Sequence, residues 1–514
     1  MLTWLSSGRP DHPMANLKKA RQMVVELLNQ DAFRVLDESA GWLESITDTA
    51  GFNIDHRFEL IDLIDRGAKY HVAKLAQEYL DAPRLQKAYE ARLWNASFGY
   101  WKALGAAYLY AIEQYQAGAA GAAAVRKDRA VLASRALRAL AVQLKWILLR
   151  YGRVEDRIWR DLGRAYLFAE AEAVAADVKT IYPGAHGESS AQEEFAKALM
   201  LGVSAPDGLN PLGIHIAERV IAHFGSLCVV ATAPAAACRF GFDLNLHRPP
   251  ARAVRASAAG KMMRYFGPGP AALALSRLMR EIGEKNAIPE AINLGRKVDP
   301  ASVKAVLRHL EQYWADRPPA RSAPRNELAT RLTVVPGFAA VLRWVEVVSD
   351  TNTLEFSDPA TAESWIAFNA SDGGYGAIVP AMRADWLTIG SLIGLRPETA
   401  EYCRVGIVRR LARDPYNQRR VGIQTLGTIA VPVNVCAAAP TGEVRADAKR
   451  SRGLLLSRRP DRNGEISVLL RADAYTDNVH LELELHKRYL IAPVELTERG
   501  EDYDWARYRV VKTL

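Results

Sequence analysis

The sequence predicts an α+β protein: a large all-helical N-terminal region, then a small antiparallel β-barrel and a β-rich C-terminal extension. Three observations carry this. Residues 16–179 are rich in Ala, Leu, Glu and Arg and poor in β-branched runs, the composition of good helix formers. The string Pro318-Pro319-Ala320-Arg321-Ser322-Ala323-Pro324-Arg325 reads as an extended linker, because proline fixes φ and lacks the N–H that a helix needs. Beyond it the apolar period drops from 3.6 to 2, in short β-branched and aromatic runs separated by Gly, Pro and Asp. The predicted domains are a helical domain at 1–182, a second helical lobe with a small hairpin at 192–316, the barrel at 326–436 and the extension at 453–514.

In the first helical stretch, Leu137, Leu140, Leu144, Ile147, Leu148 and Tyr151 fall on one stripe of a helix spanning 129–151, with Arg135, Arg138 and Lys145 expected to point away into water. Trp101-x-x-Leu104-Gly105-x-x-Tyr108 recurs as Trp159-x-x-Leu162-Gly163-x-x-Tyr166 and resembles the opening of a tetratricopeptide repeat. The copies stand 58 residues apart, against about 34 in a regular array. We therefore read a packing seam in which glycine admits a close neighbour. A loop is expected at 183–190, and a hairpin between Leu227–Val230 and Arg239–Leu244. Helices then run from about 256 to 314, broken at Gly267-Pro268-Gly269-Pro270. Strands are expected at Leu332–Val335, Val341–Val347, Leu387–Leu395, Val405–Val408 and Val421–Ile423, with a polar linker at 437–452. Asn463-Gly464 fits a type I′ turn between Leu454–Leu456 and Ile466–Leu469, and Leu481–Leu485 alternates as a half-buried strand.

The 514 residues allow about three domains, each with its own core. With 49% hydrophobic and 24% charged residues the chain is an ordinary soluble composition rather than a disordered one. Met1-Leu2-Thr3-Trp4 shows no basic segment leading into an apolar core, and no charge-free apolar run is long enough to span a bilayer. Cys228, Cys238, Cys403 and Cys436 lack Cys-x-x-Cys spacing and read as buried thiols of a cytoplasmic protein. A net charge of +9 favours an anionic partner, but Arg is scattered through the chain, so no nucleic-acid role is expected.

Catalytic patterns are not found. His215 and His223 stand at i, i+8, too far apart for one metal ion. Gly260-Lys261 lacks the first glycine and the hydroxyl of a P-loop, and no Gly-x-Ser-x-Gly elbow occurs. The Asp62 and Asp65 pair reads as a solvated helix surface. Neither an enzyme nor a metal or cofactor is expected.

The stretch with most chemistry is Asn369-Ala370-Ser371-Asp372-Gly373-Gly374-Tyr375-Gly376, a turn between the β-like runs Trp365–Phe368 and Ala377–Val379. Its Asn369, Ser371 and Gly374 form Asn-x-Ser-x-x-Gly, and Arg321 and Arg325 form Arg-x-x-x-Arg upstream. Together these segments resemble the PilZ domain. The resemblance covers roughly the third quarter of the chain. It implies a β-barrel that binds the bacterial second messenger cyclic di-GMP, with Arg321, Arg325, Asn369, Ser371 and Gly374 as ligand contacts. The family chemistry suits the residue types: guanidinium forks match phosphate oxygens or the guanine edge, and a neutral amide and hydroxyl can read a base. Arg325 to Asn369 is a longer gap than the family pattern, so either an insertion is looped out or Arg331 or Arg343 supplies the contact. The implied function is a non-enzymatic receptor that passes ligand binding to an unidentified protein partner through its helical region. Its rivals are a ligand-independent helical scaffold with a degenerate barrel and a basic nucleic-acid-binding protein.

Overall fold

The computed structural model describes residues 10–81, 87–184, 187–253, 260–319, 324–349, 361–380, 386–400, 403–427, 429–443, 449–457 and 459–514. The chain is α+β and divides into two compact units, Met1–Pro319 and Ala320–Leu514.

The first unit begins with α1 (Leu17–Leu27), α2 (Ala32–Asp48), α3 (Ile54–Asp81), α4 (Lys87–Gln116), the short α5 (Ala122–Val125), α6 (Arg129–Leu149) and α7 (Asp156–Ala171). A two-stranded ribbon, β1 (Lys179–Thr180) and β2 (Glu188–Ser189), leads to α8 (Ala191–Val203) and α9 (Pro211–His223). Helix starts follow from local chemistry. Asp31 caps α2 by accepting the N–H groups of Phe33 and Arg34, Ser190 caps α8, and Asn210 caps α9 just before Pro211, whose missing N–H costs nothing there.

Helix α6 is the centre of this unit and packs against α4, α7, α8 and α9. The two Trp/Gly/Tyr segments are seams: Trp101, Tyr108, Trp159 and Tyr166 are all buried. A Cβ on Gly105 would touch Leu140 of α6 at 3.4 Å, and one on Gly163 would meet the Leu244 carbonyl oxygen at 2.8 Å. The face of α6 expected to be wet is covered. Arg135 is 1% exposed and bonds to Asp62 of α3, Tyr108 of α4 and the Ile181 carbonyl, while Arg138 pairs with Glu194 of α8 and Lys145 with Glu218 of α9.

A four-stranded sheet follows: β3 (Val229–Ala231), β4 (Phe240–Asp243), β5 (Ala251–Arg252) and β6 (Met263–Gly267), in the order β3-β6-β4-β5. The two segments expected to pair as a hairpin are therefore separated by β6. That strand lies where helix is expected; all five of its residues are buried, so it shows neither helical nor alternating periodicity. Helices α10 (Ala271–Lys285) and α11 (Pro300–Trp314) end the unit.

The second unit contains two closed, six-stranded antiparallel barrels. The first is built from β7 (Asn326–Pro336), β8 (Glu363–Ser371), β9 (Gly374–Val379), β10 (Leu392–Pro397), β11 (Arg404–Arg413) and β12 (Arg419–Thr425), ordered β10-β11-β12-β9-β8-β7. The second comprises β13 (Val431–Ala438), β14 (Ser451–Leu455), β15 (Glu465–Arg471), β16 (His480–Glu484), β17 (Arg488–Arg499) and β18 (Tyr503–Thr513), ordered β13-β14-β15-β18-β17-β16. Strand β13 thus opens the second barrel, from inside the 326–436 stretch assigned to the first by sequence.

Val341–Val347, expected as a strand, lies within helix α12 (Phe338–Ser349). Val341, Trp344 and Val345 are buried at i, i+3 and i+4 while Arg343 is exposed, which is helical spacing; a short run of Val, Leu and Trp fits both periods in sequence. The Asn463-Gly464 turn does join β14 to β15, but within a longer loop. Asp461 Oδ1 accepts the N–H groups of Asn463 and Glu465, and only Gly464, at φ +76°, is left-handed there.

Candidate ligand-binding site

Strands β8 and β9 form the hairpin that carries the Asn-x-Ser-x-x-Gly segment. Asp372 and Gly373 make the turn, Ser371 pairs with Gly374, Ala370 with Tyr375 and Asn369 with Gly376. Asn369 and Ser371 are therefore strand residues at i, i+2, and pairing sets them on one face. Tyr375 and Ala377 are buried, as are their partners Ile423 and Val421 on β12, so the alternate residues Gly374 and Gly376 lie on the outer surface with Asn369 and Ser371.

Gly374 is required by the backbone. Its φ is +153°, and a Cβ there would come within 1.9 Å of the Ile423 carbonyl oxygen. Gly376 has a second task. A Cβ on it would sit 2.5 Å from Asn369 Oδ1 and 2.9 Å from Phe368 Cζ, so the missing side chain lets the amide and the ring fold onto β9. Asn369 Oδ1 is buried with no hydrogen-bond partner among the described residues. An unmet buried acceptor costs on the order of 1–3 kcal/mol.

The arginines fall at different distances from this hairpin. Arg321 lies outside the described residues. Arg325 directly precedes Asn326, the first residue of β7, and Asn326 pairs with Ala370 while Glu327 pairs with Asn369. The Arg325 Cα is thus one residue step, about 3.8 Å, from a residue paired into the hairpin. The long spacing between Arg325 and Asn369 is taken up by β7, α12 and the return along β8. Arg331 is further along β7, exposed and paired with Ile366. Arg343 is on α12, which packs against β7, β10 and β13. The fold therefore gathers Asn369, Ser371 and Gly374 on one hairpin with the start of β7 beside them, and leaves Arg343 on a different element.

Sequence reasoning missed a charged network inside the first unit. Asp65, 1% exposed, accepts hydrogen bonds from Tyr108 and Tyr182, each at 2.7 Å. Arg135 donates to the Ile181 carbonyl at 2.6 and 2.8 Å and pairs with Asp62. Burial pushes the Asp65 carboxyl up, with Arg135 and the two tyrosines pulling against it. Lys69 stands 3.0 Å from the Tyr182 ring centroid, and burial pulls its ammonium down to about 8. Nearby, Arg138 pairs with Glu194 at 3.3 Å, and Lys145 with Glu218 at 2.6 Å. Asp65 is therefore a buried acceptor and not the solvated surface residue expected. The signal available in the sequence was the i, i+3 spacing of Asp62 and Asp65 facing Arg135, which one strand of sequence cannot pair.

Among the described residues no group of His, Cys, Asp and Glu could hold a metal ion, and no helix is long and apolar enough to cross a membrane. All four cysteines are free and buried. No curated protein matches the chain. Residues 18–235 match the family described as cyclic-di-GMP receptor FimW, N-terminal domain. That match ends before Arg321, so the family likeness lies in the helical unit and not in the third quarter, where the PilZ-like motifs stand: the first part of this chain is similar to the N-terminal domain of a cyclic-di-GMP receptor.

Proposed function

We propose that the chain is a non-enzymatic, cytoplasmic receptor for cyclic di-GMP, with the first barrel as a PilZ-like ligand-binding domain. Arg321, Arg325, Asn369, Ser371 and Gly374 are its contacts, and the helical lobes at 1–182 and 192–316 present the surface read by a protein partner. Two separate parts of the chain point to one ligand: the likeness of residues 18–235 to a cyclic-di-GMP receptor, and the motif residues on the barrel. The observation that carries the reading is the register of β7 on β8, which sets the end of the arginine segment beside the hairpin bearing Asn369 and Ser371.

In this arrangement the arginines are the phosphate contacts. Their planar forks meet phosphate oxygens in pairs, and charge-assisted hydrogen bonds of this kind are worth roughly twice neutral ones. Asn369 and Ser371 read a base edge on a surface that Gly374 keeps low. The Pro-rich segment carrying Arg321 and Arg325 is proposed to close over the ligand, and the output follows from the difference in affinity between the two states. Calorimetry of the full chain with cyclic di-GMP tests the proposal. Binding without hydrolysis, tighter than that of linear guanine nucleotides, is expected. A folded protein that gives no heat and no thermal shift at high ligand concentration removes the receptor reading and promotes the helical scaffold.

A further inference from the structure

The ladder between β8 and β9 shifts register between Ala367 and Asn369, which makes Phe368 the extra residue of a bulge. Its half-buried ring is therefore turned onto the outer surface, where its Cζ lies 2.9 Å from the point a Gly376 Cβ would occupy, next to the Asn369 amide. From β12, Arg420 brings its guanidinium over the same ring, 4.9 Å from the centroid. The Arg420 side chain is 45% exposed, and its Nε is also held by Asp414 at 3.4 Å. Asp414 is itself fixed, since its Oδ1 accepts the N–H groups of Tyr416 and Gln418 at 2.9 Å. Ring, guanidinium and carboxylate thus form a held stack that runs from the motif hairpin across to β12.

Beside this stack the outer face carries two neighbouring glycines, over which the side chains of adjacent strands fold. Asn369, Gly376, Gly422 and Arg410 pair in one row across β8, β9, β12 and β11, so two adjacent positions carry no side chain. A Cβ on Gly422 would stand 3.2 Å from Arg410 Cβ, which shows the Arg410 stem lying across that glycine. An aromatic ring capped with a guanidinium is a surface on which nucleic bases stack, since every base offers a π-face to rings and to arginine planes. Arginine adds a fork that matches the O6 and N7 acceptors of guanine.

We propose that Phe368 and Arg420 form the stacking platform for one guanine of the cyclic dinucleotide, adjoining the Asn-x-Ser-x-x-Gly hairpin; this rests on the receptor reading above and adds two contacts outside its motifs. Asn369 adjoins this platform on β8, and Arg325 stands just before the start of β7, which pairs with β8.

The test is calorimetry of full-length Phe368→Leu, Arg420→Ala and Arg420→Lys with cyclic di-GMP, each variant first checked for wild-type melting. Phe368→Leu and Arg420→Ala are each expected to weaken binding about tenfold, and Arg420→Lys to remain weak because an ammonium has no planar face. If Arg420→Ala melts early, Phe368→Leu and Arg420→Lys decide the matter. Wild-type binding that survives Phe368→Leu and Arg420→Ala within about twofold overturns the platform while leaving the receptor intact, as does full rescue by lysine. A wild-type protein that binds no cyclic di-GMP overturns both readings at once, so the two failures are distinguishable.

Discussion

Arginine serves two different purposes in the two units. In the helical unit Arg135 is 1% exposed, donates twice to the Ile181 carbonyl and pairs with Asp62. On the first barrel Arg420 leaves 45% of its side chain to solvent, with its charge over an aromatic ring. A guanidinium enclosed by protein acceptors has done its work on folding, whereas one that keeps an open face can still meet a ligand. Placement relative to water therefore separates the structural arginines of this basic chain from those that can recognise an anion, which net charge cannot do.

The sharpest way to break this contrast is at Arg135. Removing one partner of a buried charged pair costs about 3–5 kcal/mol, because the carboxylates left behind are not rehydrated. Arg135→Ala is expected to lower the unfolding free energy of the helical unit by an amount of that order, read from denaturant titration. Affinity for cyclic di-GMP, measured where the protein is still folded, is expected to stay within about twofold. A large loss of affinity without a loss of stability would mean that the helical cluster, and not the barrel, holds the ligand.

On the barrel the expectation reverses. Arg325→Ala is expected to keep wild-type melting and to weaken binding by about ten- to a hundredfold, the equivalent of roughly 1.5–3 kcal/mol for a charge-assisted contact. Ser371→Ala is expected to cost less, about 0.5–1.5 kcal/mol. Arg331→Ala and Arg343→Ala are the controls. If either of these abolishes binding while Arg325→Ala does not, the arginine assignment moves and the hairpin assignment stands.

Acid sensitivity gives a third and smaller distinction. His215 Nδ1 lies 3.0 Å from Lys145 Nζ, and its Nε2 lies 2.9 Å from the Leu294 carbonyl oxygen. Burial, followed by the Lys145 charge, pulls the imidazole down to about 3, with Glu218 opposing and Arg219 adding to the effect. The ring is neutral in the folded unit and takes up a proton more readily when unfolded. Its contribution to stability is thus complete above the unfolded value of about 6.5 and is lost as pH falls toward about 3. One pH unit below 6.5 this amounts to roughly 1 kcal/mol. Melting of the helical unit between pH 7.5 and 5.5 is expected to fall accordingly, and His215→Asn to flatten that slope. An unchanged slope in the variant would assign the acid response to other groups.

Some of this architecture was legible and some was not, for definite reasons. The seam glycines Gly105 and Gly163 could be read because close approach of helices leaves a pattern in one chain. The hairpin at Asn369 to Gly376 could be read because turn chemistry is local. Strand β6 and helix α12 could not, since a run of five buried residues or a short run of Val, Leu and Trp fits both periods until a neighbour is in place. The burial of Asp65 and Arg135 was hidden for the same reason: a charged residue shows in sequence as polar whether water or another element satisfies it. The Phe368–Arg420 pair depends on a one-residue bulge, and sequence spacing carries no mark of such a shift.

The two barrels are not separate bodies joined by a linker. Val335, Phe338, Val341, Trp344 and Ile407 from the first barrel and α12 share one apolar cluster with Leu454, Leu456, Leu469 and Tyr503 of the second. Arg409 bridges to both oxygens of Glu498 at 2.6 and 2.8 Å, and Asp502 accepts the Phe338 N–H. Elements that share a core open together, so the second unit behaves as one cooperative foldon in which an opening of β14 or β15 also exposes α12. If the proposed ligand binds the β8–β9 hairpin, its free energy is spread over both barrels, and slower amide exchange is expected in strands that never touch it.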